Sequence, residues 1–246
     1  MTAPGTQTLI ARAEALNEGV PAGLAPRLHA LRAAIPGRVV LTTAFGIESQ
    51  LLTHVIARER LDIDLVTLDT GRLFPETLEV WAETEARYGV RILALHPDRV
   101  ALDDLLARDG PQGFRRSVAA REACCHVRKV APLARALQGA AGWISGLRRS
   151  QSASRRDTRF AEADPARGLV KVSPLFDWSE EDVVRHVRSL DIPYNRLLDA
   201  GFRSIGCQPC TRATRIGEDA RDGRWWWEDS TKECGLHFRP AISPAA

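Results

Sequence analysis

Arg38-Val-Val-Leu-Thr-Thr-Ala-Phe-Gly-Ile-Glu-Ser49 (RVVLTTAFGIES) is the stretch on which the fold turns. Arg38 to Thr43 is apolar and β-branched, which predicts a short buried strand. Phe45–Gly46 supplies a small turn. Ile47 to Arg60 then carries apolar residues at Leu51, Leu52, Val55 and Ile56, the stripe of an amphipathic helix. A strand that turns directly into a helix offers backbone N–H groups and a positive helix end to a phosphate. Thr43, Phe45, Gly46 and Glu48 are therefore candidate ligand-binding positions, although the loop lacks the glycine density of a Walker or dinucleotide loop.

The pattern repeats outward. Ile63–Leu68 reads as a second strand, Val90–Leu95 as a third, and Trp143–Leu147 and Leu169–Val172 as two more. Pro75 suits the first turn of a helix running to about Tyr88. Ser179, with Asp182 three residues on, starts another helix that runs to about Leu190. Strands alternating with helices predict an α/β fold with a mainly parallel sheet and flanking helices. The loops at 43–48, 69–72 and 146–156 should then share the carboxyl edge of that sheet, where such folds bind ligands. Leu68, Asp69, Thr70 and Gly71 end the second strand there, as a ribose or base contact or as a plain turn. We read residues 1–37 as an N-terminal helical segment, 38–190 as a nucleotide-binding α/β domain, and 191–246 as a C-terminal region laid over the mouth of the sheet.

Bulk properties exclude several classes. The 246 residues are 44% hydrophobic and 26% charged, as in a globular protein. No apolar run approaches the roughly 18 residues of a membrane span, and the first residues do not read as a signal peptide. The expectation is a cytoplasmic protein with reduced thiols and no membrane partner. A net charge of +3 argues against a nucleic-acid partner. The arginines come in pairs, Arg115–Arg116, Arg148–Arg149 and Arg155–Arg156, suited to a small anion or to a solvated surface.

Five cysteines suggest four plus one: Cys124 and Cys125 in tandem, Cys207 and Cys210 as Cys-Gln-Pro-Cys, and Cys234. Adjacent helical side chains diverge by roughly 100°, so Cys124 and Cys125 reach one centre only from a distorted helix or toward a large centre. Pro132 is placed to break that helix. Two thiol pairs favour a metal centre over unrelated buried cysteines, and a four-iron cluster over zinc. Cys234 lies in Lys-Glu-Cys-Gly-Leu-His, where Lys232 and His237 would enrich the thiolate. Lys129 falls four residues after Cys125, on the same helical face. Gly146 opens a polar loop, and Arg221 and Arg224 flank a turn before Trp225-Trp226-Trp227, whose best reading is packing. His126 reads as a neighbour and not as a ligand.

TTAFGIES, LDTG, CCHVRKVAPL, GLRRSQSASR, KVSPLFDWSEEDV, GCQPCT and KECGLH, in that order, resemble the assimilatory sulfonucleotide reductases, in their iron–sulfur branch. The resemblance spans about residues 38–238. It implies an adenine nucleotide α-hydrolase-like fold of the PP-loop type. It implies a [4Fe-4S] cluster on Cys124, Cys125, Cys207 and Cys210, and basic positions around the substrate at Lys129, Arg149, Arg156, Arg221 and Arg224. It further implies reduction of adenosine 5′-phosphosulfate through a thiosulfonate on Cys234, released as sulfite by thioredoxin or a similar thiol reductant, in sulfate assimilation and cysteine biosynthesis. Family members often read SFSGAE at the first loop; Glu48 and the loop backbone survive the change here.

Three rivals remain. A reductase for the 3′-phosphorylated nucleotide would lack the cluster cysteines. An ATP-dependent sulfurtransferase of the same superfamily would show SGGxDS where this chain has FGIES. A zinc-stabilised nucleic-acid-binding module would leave Cys234 without a role. Self-association of the chain is not legible in the sequence.

Overall fold

A computed structural model describes residues 4–229. Its six strands are β1 (Arg38–Thr43), β2 (Asp64–Leu68), β3 (Leu93–Leu95), β4 (Ala140–Ile144), β5 (Ala161–Asp164) and β6 (Leu169–Val172). They lie in the order β3-β2-β1-β4-β6-β5, with every pairing parallel except the β5–β6 edge. The helices are α1 (Pro4–Glu18), α2 (Leu24–Ala34), α3 (Ile47–Arg58), α4 (Pro75–Tyr88), α5 (Arg99–Asp109), α6 (Val118–Cys125), α7 (Ala131–Ala136) and α8 (Glu180–Ser189).

Successive buried side chains of β1 alternate between the two faces of the sheet and build a core on each. Val39 and Leu41 join one core with Leu28, Leu31, Leu52 and Val187 from the helices. Val40 points into the other, with Val66, Trp143 and the α7 residues Leu133 and Ala136. A strand apolar on both sides belongs in the centre of a helix-covered sheet. The first two helices share this main core: Ala13 and Leu16 are buried in it. Asn17 exchanges hydrogen bonds with the backbone of Ala161 on the edge strand.

Several local expectations shift. The third strand is confined to Leu93–Leu95. The fourth lies at Ala140–Ile144, so that Ser145, Gly146 and Leu147 belong to the loop leaving it. β5, with its polar sequence Ala-Glu-Ala-Asp, carries no β-branched signal and is the outer arm of a hairpin closed by Gly168 at a φ of 70°. The helix bearing the tandem cysteines is widened and not broken. After α6 a π-helical turn spans His126–Val130, and Pro132 follows it directly at the start of α7, next to the widened turn.

The chain order reverses at β1, which has β2 on one side and β4 on the other. At such a switch point the loops leaving neighbouring strands diverge and open a crevice. The site lies there.

Candidate active site

The crevice is a cavity of about 370 Å³. Its wall takes Thr43, Phe45, Gly46 and Glu48 from the β1–α3 loop, Leu68 and Thr70 from the end of β2, and Gly146 and Arg148 beyond β4. Lys129 comes from the π-helical turn, and Arg221 and Arg224 from the C-terminal region.

The β1–α3 loop is shaped by a short chain of hydrogen bonds. Phe45 adopts a positive φ of 56°, a strained choice for an aromatic residue. Its N–H donates to Thr43 Oγ1 at 3.0 Å, Thr43 Oγ1 donates to Ser49 Oγ at 3.1 Å, and Ser49 Oγ donates to the Gly46 carbonyl at 2.9 Å. The Phe45 ring is buried and stacked on Trp81. Thr43 and Phe45 thus act by fixing the backbone. No side chain caps α3, which leaves its first N–H groups to the cavity.

Glu48 stands at that helix end, and its charge is matched. Its Oε1 accepts from Arg148 Nε at 3.0 Å, from an Arg148 terminal nitrogen at 2.9 Å and from Gln151 Nε2 at 2.9 Å. Gln151 Oε1 in turn accepts from Arg155 at 2.6 Å. Gly146 permits the approach, since a Cβ there would sit 2.8 Å from Glu48 Cβ. Glu48 therefore organises the basic loop, while Arg148 and Arg155, passed over in the sequence, line the cavity. The paired arginines of the sequence include both, while the resemblance implies Arg149 and Arg156. Arg149 packs over Phe176 and donates to the Thr158 carbonyl, and Arg156 is exposed; neither belongs to the cavity wall. Asp69 holds its own turn, accepting from the Gly71 N–H at 2.9 Å, with Gly71 at a φ of 66°. Asp69 and Gly71 also lie off the wall.

Behind the crevice the four thiols of Cys124, Cys125, Cys207 and Cys210 line a second, small cavity with Phe114 and Trp225. All four are unbridged. Lys129 and Arg224 line both cavities and so form the partition between them. Gly206 lets the Arg224 guanidinium lie flush, because a Cβ would meet it at 2.3 Å. Thr70 also spans the partition, accepting from Cys207 Sγ at 3.3 Å. Arg128 is buried beside it and donates to the Thr70 carbonyl at 2.6 Å.

These cations divide the thiols. Burial pushes Cys207 up, but Lys129, the Thr70 hydrogen bond, Arg224 and Arg128 outweigh it and bring its pKa below the ordinary value. Burial, then the neighbouring Cys207, raises Cys210 to about 11. Cys124 is also raised, by burial against the pull of Arg128 and Arg72. Among the described residues no three His, Cys, Asp or Glu side chains close into a single-ion site. Cys234 lies outside the described residues.

The topology and the loop-framed crevice define a PP-loop, adenine nucleotide α-hydrolase-like protein. Residues 38–213 match the family described as phosphoadenosine phosphosulfate reductase domain. A protein of Sinorhizobium fredii (strain USDA 257) named adenosine 5′-phosphosulfate reductase is 51% identical over 240 residues, covering 97% of this chain and 95% of that one. One of the same name from Allochromatium vinosum is 52% identical over 216 residues, 84% of each chain. The chain belongs to the phosphoadenosine phosphosulfate reductase family, and is an enzyme, an oxidoreductase acting on a sulfur group. Among solved structures, a phosphoadenylyl-sulfate reductase of Candida auris in complex with phosphate superposes with a TM-score of 0.70 at 24% identity. It covers 81% of this chain and 96% of its own. Yeast FAD synthetase superposes at 0.50 and 12% identity, covering 87% of this chain and 70% of its own. Both show the same fold.

Proposed function

We propose that the chain reduces adenosine 5′-phosphosulfate to sulfite and AMP in sulfate assimilation, in the cytoplasm. The observation that carries this reading is the partition: Lys129 and Arg224 face an anion-sized crevice on one side and four thiols on the other. The names of the curated relatives support the substrate.

The phosphosulfate is placed with its phosphate toward the uncapped N-terminus of α3 and its sulfonate toward Lys129, Arg221 and Arg224. Arginine forks match such oxygens bidentately. The thiolate of Cys234 attacks the sulfonate sulfur. The S–O bond to phosphate breaks, and AMP leaves with the electron pair and a charge that these cations stabilise. Cys234 then carries a thiosulfonate. A thiol of a dithiol reductant of the thioredoxin type attacks Cys234 Sγ and expels sulfite. Its second thiol resolves the mixed disulfide, so the reductant is oxidised and Cys234 returns as a thiol.

Cys124, Cys125, Cys207 and Cys210 fit a [4Fe-4S] cluster: four thiols in an apolar recess, with cations alongside that favour thiolates. Bound, the cluster adds its own charge to the field at the partition.

The test mixes anaerobic protein with sulfur-radiolabelled adenosine 5′-phosphosulfate, without reductant, on a non-reducing gel. Label on the wild type, absent from Cys234→Ser and released by thioredoxin as sulfite, is the expected result. Label from the 3′-phosphorylated nucleotide alone would correct the substrate. Label from neither would end the reading. Metal analysis should return about four irons per chain and brown protein; one zinc and no colour would remove the cluster.

A further inference from the structure

Residues 221–229 form a strap that ends the described chain, and its contacts exceed what the partition needs. Trp225 has a φ of 43° and donates its N–H to the Cys210 carbonyl at 3.2 Å. Its ring lies between two guanidinium groups, Arg121 at 4.7 Å and Arg224 at 4.6 Å from the centroid. Arg121 belongs to α6, one turn before Cys124. Its Nε donates to Glu228 Oε1 at 2.8 Å, with side chains only 2% and 8% exposed. Arg115 adds contacts over the rings of Trp226 and Trp227, at 5.5 and 5.1 Å. Removing Glu228 would leave the buried Arg121 guanidinium with only the exposed Glu122 carboxylate, 3.8 Å away, so the pair ties the strap to α6. No step of the reaction uses Arg121 or Glu228.

We propose that the Arg121–Glu228 pair, with Trp225 wedged beside it, anchors the root of the segment carrying Cys234, and that Arg121 is a positioning residue for delivery of the nucleophile. The inference rests on the reading of Cys234 given above. Cys234 follows Glu228 by six residues, a reach of at most roughly 20 Å. Arg224, four residues before Glu228, lines the substrate crevice, so the anchor stands beside the site that the thiol must enter. A short fixed tether raises the effective concentration of what it carries. Releasing the anchor moves the root back to Arg224, or to Cys210 if the whole strap lifts. On a −3/2 power of tether length this dilutes Cys234 by roughly two-fold or roughly eight-fold, respectively.

The experiment compares Glu228→Gln, Arg121→Gln and Glu228→Asp with wild type, all as anaerobic full-length protein. The readouts are single-turnover labelling by adenosine 5′-phosphosulfate, AMP affinity, visible absorbance, and the rate of tryptic cleavage after Arg224 and Lys232. The expected result is labelling slowed by roughly two- to eight-fold in the Gln variants, faster cleavage, unchanged AMP affinity and absorbance, and recovery in Glu228→Asp. Labelling and cleavage at wild-type rates would overturn the anchor, as would parallel loss of AMP binding. If wild type takes no label, the reading of Cys234 falls, and the cleavage rates still decide whether the pair anchors the strap.

Discussion

Glu48 and Arg148 form a buried clasp across the mouth of the sheet, Oε1 to the guanidinium at 2.9 and 3.0 Å, with side chains 18% and 4% exposed. It joins the loop after β1 to the loop after β4. A carboxylate in an anion site is explained by its partner: the pair is neutral, and Lys129, Arg155, Arg221 and Arg224 also line the crevice.

Removing one half of the clasp strands the other. Glu48→Ala should lower the free energy of unfolding by about 3 kcal/mol, because the buried Arg148 loses its counter-charge. Glu48→Leu with Arg148→Met should recover most of that loss. Urea titrations in a double-mutant cycle check this; additive losses would mean that the pair is not coupled.

Lys129, like Arg224, is placed to act on both sides of the partition. Lys129→Ala should cut kcat/KM by roughly 10²- to 10³-fold, the range for losing one preorganised charge at a developing anion. Lys129→Arg should recover only part, since a planar fork does not replace a point charge. Steady-state rates with adenosine 5′-phosphosulfate give the comparison, and a loss below ten-fold would remove Lys129 from the chemistry.

Gly206→Ala tests the seat of Arg224 without touching a charge. The new Cβ would fall 2.3 Å from the guanidinium, so Arg224 must shift. KM should rise several-fold while visible absorbance is unchanged. Unchanged kinetics would show that Arg224 serves packing alone.

Lys171 provides a pH signature away from the reaction. Burial pushes its pKa down to about 8, against the raising effect of Glu162 and Asp164. The unfolded lysine, near 10.5, binds more protons than the folded one between those values, so stability should rise as pH climbs from about 8 to about 10.5. Lys171→Met should flatten this slope and add stability at neutral pH. Denaturation midpoints across that range check both, and a slope that persists in the variant belongs to another group.

The frame of the fold was legible because β1, β2 and β6 carry dense apolar, β-branched runs and α3, α4 and α8 carry clear starts. The edge strand β5 was not, since a polar Ala-Glu-Ala-Asp segment becomes a strand only when β6 offers it a partner. At the site, the four cysteines, Lys129, Arg221 and Arg224 stood out as residue types that chemistry needs. Choosing between Arg148 and Arg149, or Arg155 and Arg156, demands knowledge of which way each side chain leaves its loop. Sequence adjacency carries no such information where the backbone is irregular. The strain at Phe45 was equally hidden, since the hydrogen bonds of Thr43 and Ser49 that hold it exist only after folding.

The π-helical turn at His126–Val130 works as a change of address within what would otherwise be one helix. It accommodates one more residue per hydrogen-bonded turn than an α-helix, so everything after it is rotated relative to everything before. Upstream, α6 directs Cys124 and Cys125 to the thiol recess; downstream, α7 directs Leu133 and Ala136 to the sheet. Lys129 belongs to neither register and falls at the boundary.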